Sequence, residues 1–281
     1  MKQFREGKVH TLSGGESDIG DWLASFRKSG YDPKRVENTA YQELSSQEKE
    51  YVCKDLEFIE TNPVGIIVDG DRNYPRNFSD FLGDSRPRAL FCMGDITLLN
   101  CPSICVCGAR AASKPGQEIA YKCGRLIADA GYVLSSGYAR GVDIAAHQGA
   151  LEAGGSTVAL LPYGLSRFSV RQTLMDAFEP ENFLAVSELP PSCGFITKAA
   201  LRRNKLLVSL SDAVIVIEPG ESGGTWFSAE KARSLKKKIF YHEGSRPEII
   251  ERMESLGGKR LKISRGVPRL KEVFRVCGEP S

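Results

Sequence analysis

The chain has 281 residues, of which 41% are hydrophobic and 26% charged, and its formal net charge is +3. This balance excludes a largely disordered chain and a collagen-like repeat, and the length suits one large domain with one small companion. No apolar run approaches the roughly 20 residues that a membrane helix needs, and the N-terminus lacks the apolar core of a secretory signal. We therefore expect a soluble, cytoplasmic protein with no membrane partner.

Residues 1–62 are expected to form a small helical N-terminal region. Apolar side chains recur there at helical spacing in two stretches, one around Trp22 and Phe26 and one around Leu56. The segment 64–87 that follows is typical of a linker or an irregular strand region. Residues 63–275 are then assigned to the main domain.

From about residue 100, short apolar runs alternate with longer segments of helical period. The runs predict strands at 104–107, 132–134, 157–161, 183–186, 213–217 and 239–241. Between them, Ile119, Cys123 and Ile127 mark one amphipathic helix, and a leucine series from Leu201 to Leu210 marks another. Strands that alternate with helices predict an α/β fold with a doubly wound, mostly parallel, Rossmann-like sheet.

The eight cysteines do not predict a disulfide framework, because a chain of this length without a secretion signal rarely carries one. Cys105 and Cys107 are two residues apart on a predicted strand, so both should face the same side as small hydrophobic groups. The chain has no Cys-x-x-Cys pair and no histidine cluster, so we predict neither a metal nor a cofactor.

The basic residues are concentrated near the C-terminus. Residues 1–100 carry 13 Lys/Arg against 17 Asp/Glu, a charge of −4, whereas residues 231–275 carry 14 Lys/Arg against 5 Glu, a charge of +9. This asymmetry favours an anionic partner, with nucleic acid the first candidate, although a solvated lysine and arginine face explains it equally well.

The turn after the first predicted core strand is a candidate anion site. It contains Gly108, Arg110 and Ser113, and a helix begins directly after it. Ligands of a doubly wound sheet bind at the carboxyl ends of the strands, where a helix N-terminus offers free N–H groups to an anion. Arg110 stands where a dinucleotide-binding turn has its second glycine, and its guanidinium can bind a single phosphate. In the alternative interpretation, Ser113 only caps the helix and Arg110 is a surface residue.

Three further segments are expected to reach the same edge of the sheet. One follows the second strand and contains Gly137 and Arg140. The others are a helix bearing basic and amide side chains and a glycine-rich loop that leads into a helix. The candidate phosphate-binding residues are thus Gly108, Arg110, Ser113, Gly137, Arg140, Arg203, Asn204, Lys205, Ser222, Gly223, Gly224 and Thr225.

Asp143 and His147 are four residues apart and share a helix face. Such a pair can serve as a general acid and base. Because no nucleophile accompanies them, we favour a hydrogen-bonded structural pair that holds the helix against its neighbour.

The motifs taken together resemble the DprA/Smf family of DNA-processing proteins. The matching residues occur in the family's order and extend over more than half of the chain. They are Tyr74-Pro75, Gly94, Gly108-Ala109-Arg110, Ser113, Ser136-Gly137-x-Ala139-Arg140-Gly141-x-Asp143, Ala146-His147-x-Gly149-Ala150-Leu151, Ser187-Glu188, Arg203-Asn204-Lys205, Ser211, Glu218 and the loop Ser222-Gly223-Gly224-Thr225. Lys205 stands where the family usually has arginine.

The resemblance implies a Rossmann-like, non-catalytic mediator of recombination that binds single-stranded DNA, assists the loading of RecA and forms a homodimer. Arg110 would hold a phosphate, and Arg140, Arg203 and Lys205 would line the same basic surface. Single-strand binding also needs aromatic stacking, for which Tyr138, Phe195 and Trp226 are candidates, although Trp226 is equally suited to the core.

Two other functions stay open at this point, because the loop 222–226 also resembles the glycine-rich loop of LOG-like nucleotide hydrolases. The first is a nucleotide N-glycosidase, in which Arg110, Gly224 and Thr225 grip a nucleoside monophosphate and Glu218 or Glu221 acts on the ribose. The second is a nucleotide-sensing defence protein without catalysis.

Overall fold

The computed structural model describes residues 23–25, 28, 44–244 and 246–277. In this part of the chain nine strands form one sheet, and two more form a separate short ladder. The strands are β1 (Gly65–Val68), β2 (Ala89–Gly94), β3 (Ser103–Gly108), β4 (Val133–Ser136), β5 (Thr157–Leu160), β6 (Phe183–Ser187), β7 (Ala213–Ile217), β8 (Lys238–His242), β9 (Lys259–Arg260), β10 (Ile263–Ser264) and β11 (Val267–Pro268). The α-helices are α1 (Ser46–Thr61), α2 (Arg76–Leu82), α3 (Lys114–Asp129), α4 (Val142–Glu152), α5 (Thr197–Leu210), α6 (Gly224–Ser234), α7 (Glu248–Ser255) and α8 (Lys271–Phe274).

The strand order in the large sheet is β1-β2-β6-β5-β4-β3-β7-β8-β9. Only β2 pairs antiparallel with its neighbours, and all other neighbouring strands of this sheet are parallel. After β3 the chain adds β4, β5 and β6 on one side and then returns to place β7 on the other side. This reversal between β3 and β7 is a topological switch point. The predicted doubly wound, mostly parallel α/β fold is confirmed.

Helices cover both faces of the sheet because its strands are apolar on both sides. Ile104 and Val106 of β3 pack with the buried side chains of α3 and α4. Cys105 and Cys107 point to the other face, into the cluster that contains Leu206 of α5. The shared face predicted for the two cysteines is therefore confirmed, and the eight cysteines of the chain are free thiols.

The segment 64–87 is more regular than the predicted linker. It forms β1, which pairs antiparallel with β2, and helix α2. The strand alternative was therefore correct and the linker alternative wrong. The local pattern could not decide between them, because the run Ile66–Val68 is too short to show strand alternation and its partner strand lies some 20 residues further along the chain.

Helix α1 packs directly on the main domain. Ser45 and Glu48 form a capping box at its N-terminus, which fixes where the helix begins. Val52 is buried in the same apolar cluster as Ile66 and Phe91, and the Asp55 carboxylate accepts a hydrogen bond from the Ser192 N–H at 2.6 Å. Trp22 and Phe26 lie outside the described residues, and the division at residues 62 and 63 stays a prediction.

The last described residues return to the core. Leu270 and Val273 are buried with the side chains of α3, and the Phe274 ring stacks on Tyr132 with a centroid separation of 5.4 Å. Leu201 departs from the predicted buried leucine series, because it is 40% exposed on α5. Among the described residues, no helix is both long and apolar enough to cross a membrane, and no group of three His, Cys, Asp or Glu side chains is placed to hold a metal ion.

Candidate functional site

A crevice opens at the carboxyl ends of β3, β4 and β7, at the switch point of the sheet. It consists of a larger lobe of about 580 Å³ and a smaller lobe of about 350 Å³. The two lobes share Arg110, Ala111, Gly137, Ala139 and Arg203, so they form one continuous depression. Its position is the one expected for a ligand site in a doubly wound fold.

The turn after β3 brings Arg110, but not Ser113, to the crevice. A Cβ on Gly108 would lie 2.1 Å from the Ile217 carbonyl oxygen, so only glycine allows β3 and β7 to approach here. The exposed Arg110 side chain then lines both lobes. Ser113 is the N-cap of α3, where its hydroxyl accepts the Gly116 N–H at 3.1 Å. The capping interpretation was therefore correct for Ser113, whereas Arg110 is an exposed residue at the crevice and its role in phosphate binding stays a prediction.

Glu218, which follows β7, forms hydrogen bonds at the same helix N-terminus. Its carboxylate accepts the Ser113 N–H at 2.8 Å and the Ser113 hydroxyl at 2.7 Å, and the residue is only 9% exposed. Glu221 lies in the exposed loop, and its carboxylate is 3.7 Å from a guanidinium nitrogen of Arg246. Neither Glu218 nor Glu221 lines a lobe, so neither is positioned to act on a ribose in the crevice, as the N-glycosidase interpretation required.

The turn after β4 forms the opposite wall. Gly137 lines both lobes and Arg140 lines the larger one, so the structure brings both residues together with Arg110 as predicted. Gly137 packs closely against Arg203, since a Cβ there would lie 2.1 Å from Nη1 of that arginine. A side chain at this position would push the arginine out of place.

Arg203 is a buried support of the crevice and only 6% exposed. Its Nη1 donates to the Gly137 carbonyl and, at 2.7 Å, to the Leu160 carbonyl, so it ties the ends of β4 and β5 together. Its Nε has no hydrogen-bond partner among the described residues. Burial lowers the pKa of the guanidinium, and the nearby Asp143 carboxylate opposes that shift.

Asp143 and His147 do not form the predicted pair, because each has a partner of its own. The Asp143 carboxylate accepts the Ala139 N–H at 3.1 Å, and burial raises its pKa although Arg203 lies close by. His147 Nδ1 lies 2.6 Å from the Thr157 hydroxyl, which itself donates to the Leu134 carbonyl. Burial, with the Arg203 charge, lowers the pKa of His147 to about 3, so the imidazole is a neutral part of the core.

This depressed pKa gives a testable pH dependence. An unfolded histidine titrates near pH 6.5, so between about pH 6.5 and pH 3 the unfolded chain binds the extra proton. The free energy of unfolding should therefore fall on acidification, by about 1.4 kcal/mol per pH unit from this group.

The measurement is urea unfolding of the wild type and of His147→Gln at about pH 7 and pH 5. Asp143 titrates in both proteins, so the difference between their pH slopes isolates His147. Between pH 7 and pH 5, the free energy of unfolding of the variant should fall by roughly 2 kcal/mol less than that of the wild type. Equal slopes in the two proteins would contradict the assignment.

Helix α5 contributes two of its three predicted residues. Besides Arg203, Asn204 lines the smaller lobe and donates to the Gly224 carbonyl at 3.0 Å. Lys205 lines neither lobe, because its ammonium donates to the Ser85 hydroxyl at 2.6 Å. One helix turn spans 3.6 residues, so three consecutive side chains cannot all face one crevice.

The glycine-rich loop ends at the N-terminus of α6. Ser222, Gly224 and Thr225 line the smaller lobe, and Gly223 is the N-cap residue with a φ of 104° that favours glycine. The Thr225 hydroxyl donates to the Gly108 carbonyl at 3.2 Å, which joins the loop to β3. Gly224 and Thr225 place the positive end of this helix at the smaller lobe, and no side-chain hydrogen bond caps it among the described residues.

Only one of the three aromatic candidates is exposed at the crevice. Phe195 is 55% exposed and lines the larger lobe, whereas Tyr138 and Trp226 are each 4% exposed. Tyr138 packs among Phe168, Phe183 and His147, and burial raises the pKa of its phenol to about 12. The Trp226 indole donates to the Gly220 carbonyl at 2.6 Å, so the core interpretation holds for it.

Sequence reasoning missed Tyr163 and Arg171, which also line the larger lobe. Tyr163 stands three residues after the end of β5, at the same carboxyl edge, and that position is a signal that could have identified it. Arg171 lies in the long connection to β6 and has no comparable signal. Its guanidinium carbon is 5.5 Å from the centre of the Tyr138 ring.

The charge of the crevice does not come from the basic C-terminal segment. Four arginines line it, Arg110, Arg140, Arg171 and Arg203, against the one carboxylate of Asp143. No lining residue of either lobe falls within 231–275. The positive charge at this edge of the sheet therefore comes from these arginines and not from the +9 segment.

The profile of the DNA recombination-mediator protein A family matches residues 65–273, which include every segment of the crevice. The chain belongs to this family. Among family relatives, DNA processing protein DprA of Streptococcus pneumoniae is 32% identical over 177 residues, which cover 62% of this chain and 61% of the relative. Protein Smf of Escherichia coli is 30% identical over 156 residues, which cover 55% of this chain and 42% of the relative. The chain thus matches less than two thirds of the length of either relative.

Solved structures of the DNA recombination-mediator protein A family share the fold. The X-ray structure of DprA from S. pneumoniae aligns with a TM-score of 0.66 at 27% identity, covering 80% of this chain and 78% of the other. The structure of DNA processing protein A from Helicobacter pylori, described for its unique single-stranded DNA binding mode, gives a TM-score of 0.60 at 26% identity over 71% of this chain and 91% of the other. The resemblance that the sequence motifs predicted is confirmed.

Proposed function

We propose that the crevice binds single-stranded DNA and that the protein acts as a non-catalytic recombination mediator. One observation carries this proposal: four arginines and an exposed aromatic ring, Phe195, line one depression that holds a single, buried carboxylate. A cationic groove that follows the backbone, combined with rings on which bases stack, is the arrangement by which proteins hold single strands. All residues that line the crevice lie within residues 65–273, which match the family.

The two lobes suit different parts of a nucleotide. Arg110 lies between them and can bind a phosphate through two parallel N–H donors. The smaller lobe offers that phosphate the uncapped N-terminus of α6. The larger lobe contains Tyr163 and Phe195 and has room for a base.

Assistance to RecA loading and the formation of a homodimer belong to the same proposal, because the family resemblance implies both. A direct test of the first is whether the protein accelerates the assembly of RecA on single strands covered by a single-strand binding protein. Sedimentation equilibrium tests the second. A protein that binds DNA but does not change RecA assembly would retain the crevice proposal and exclude the RecA partnership.

The experiment that tests the proposal is fluorescence anisotropy of a labelled single-stranded oligonucleotide across a salt series. We expect binding that weakens as salt rises, because displaced cations return to the phosphates. A nucleoside monophosphate should compete only weakly, since it offers one phosphate and one base. Saturable binding of the mononucleotide without any binding of the oligonucleotide would contradict the proposal and favour a nucleotide sensor.

Phe195 provides a more specific prediction within this assay. Replacing Phe195 by alanine removes a stacking surface worth about 1–3 kcal/mol per base, so affinity should fall about 5- to 100-fold. The salt slope should not change, because no charge is removed. The matched control is Leu201→Ala, which truncates another exposed apolar side chain of the same region without touching either lobe. An equal loss of affinity in both variants would contradict a stacking role.

A further inference from the structure

The buried carboxylate of Glu218 occupies the N-terminus of α3, directly after β3. In dinucleotide-binding folds this helix N-terminus receives the pyrophosphate. Here both Glu218 oxygens take that place, one on the Ser113 N–H and one on the Ser113 hydroxyl. The side chain comes from the end of β7, which is the strand across the switch point.

The surroundings of this carboxylate are shaped to hold it. A Cβ on Gly116 would lie 2.4 Å from the carboxyl carbon of Glu218, and a Cβ on Gly244 would lie 2.4 Å from its Oε1. Two glycines from different elements thus leave the space that the carboxylate fills. Glu218 itself has a φ of 45°, a backbone conformation that non-glycine residues adopt at a cost.

We propose that Glu218 is an internal anion that determines ligand specificity by excluding phosphate groups from the N-terminus of α3. A pyrophosphate there would have to displace the carboxylate, and the two negative charges would repel each other in a site with little solvent. The N-terminus of α3 is therefore not available to bind the pyrophosphate of a dinucleotide. The N-terminus of α6, which no side chain caps in the described part of the chain, remains accessible from the crevice.

This inference does not depend on the proposed DNA binding, because it concerns a part of the fold that lines neither lobe. It also has a consequence of its own: without the Glu218 side chain, the Ser113 N–H, the Ser113 hydroxyl and the space beside Gly116 and Gly244 become available to another anion.

The test compares the thermal stabilisation of the wild type, Glu218→Ala, Glu218→Gln and Glu221→Ala by inorganic pyrophosphate. Pyrophosphate should raise the melting temperature of Glu218→Ala by about 5 °C more than that of the wild type. Glu218→Gln keeps the shape of the side chain but removes its charge, so its response should lie between those of the wild type and Glu218→Ala. Glu221→Ala is the matched control, since it removes an exposed carboxylate three residues away in the same loop.

An equal response of Glu218→Ala and the wild type to pyrophosphate would overturn the inference. A second measurement on the wild type covers the case in which Glu218→Ala does not fold. Titration with a reduced nicotinamide dinucleotide, followed by its own fluorescence, should show no saturable binding. Saturable binding to the wild type that an excess of single-stranded oligonucleotide does not displace would overturn the inference, because the dinucleotide would then occupy a site outside the crevice.

Discussion

Replacing Arg203 by alanine is expected to destabilise the fold by about 3–5 kcal/mol, the largest loss of stability we expect from a residue of the crevice. The guanidinium is buried, joins the Gly137 and Leu160 carbonyls, and lies beside the buried Asp143 carboxylate. Its removal leaves an uncompensated charge and two carbonyls without their donor. Urea unfolding measures the loss directly.

Two further variants separate the charge from the packing. Arg203→Lys keeps the charge but loses the planar fork, so it should recover only part of the stability. Arg203→Ala combined with Asp143→Asn should be less destabilised than the sum of the two single changes, because the double variant no longer buries an unpaired carboxylate. If the two effects simply add, the electrostatic coupling between these residues is absent.

Replacing Arg110 by alanine should weaken binding of single-stranded DNA by about 10- to 100-fold, since a charge-assisted bond to phosphate contributes about 1.5–3 kcal/mol. Arg110 is exposed and lines both lobes, so its loss should remove a phosphate contact and leave the fold intact. The salt slope should then fall by about 0.7, the value for one phosphate of a single strand. Anisotropy across a salt series gives both quantities.

Arg269→Ala is the matched control for this experiment, because Arg269 is an exposed arginine of the basic C-terminal segment and lines neither lobe. It should bind DNA with nearly the affinity of the wild type. A loss in Arg269→Ala as large as that in Arg110→Ala would move the DNA from the crevice to the +9 segment.

The fold was largely predictable because its central strands are continuous apolar runs and its helices show a clear 3.6-residue period. The sequence predicted the secondary structure less well where a strand depends on pairing with a distant strand. Ile66 and Ile67 of β1 depend on a partner in β2, which the local pattern does not reveal.

The candidate site was predictable in position but not in the role of each side chain. The rule that ligands bind at the carboxyl ends of the strands located Arg110, Gly137 and the glycine-rich loop. The same rule could not show that Ser113 caps a helix or that Lys205 points to Ser85. Those outcomes depend on helix phase and on distant partners.

The charge argument from sequence pointed to an anionic partner, but the basic excess that it counted does not lie in the crevice. The excess of lysine and arginine lies at 231–275, whereas the arginines of the crevice come from four separate segments between Arg110 and Arg203. Counting charged residues along the sequence does not show which charges the fold brings together. It also cannot distinguish them from charges that remain dispersed in solvent.

The most direct test of the central claim is photo-crosslinking of a single-stranded oligonucleotide that carries 5-iodouracil, followed by identification of the modified peptides. The crosslink forms preferentially with aromatic side chains close to the base, so we expect adducts at Phe195 and Tyr163 in the larger lobe. Arg110→Ala should reduce the yield of these adducts. Adducts confined to residues 231–275, with the crevice peptides unmodified, would contradict the assignment of the crevice as the DNA-binding site.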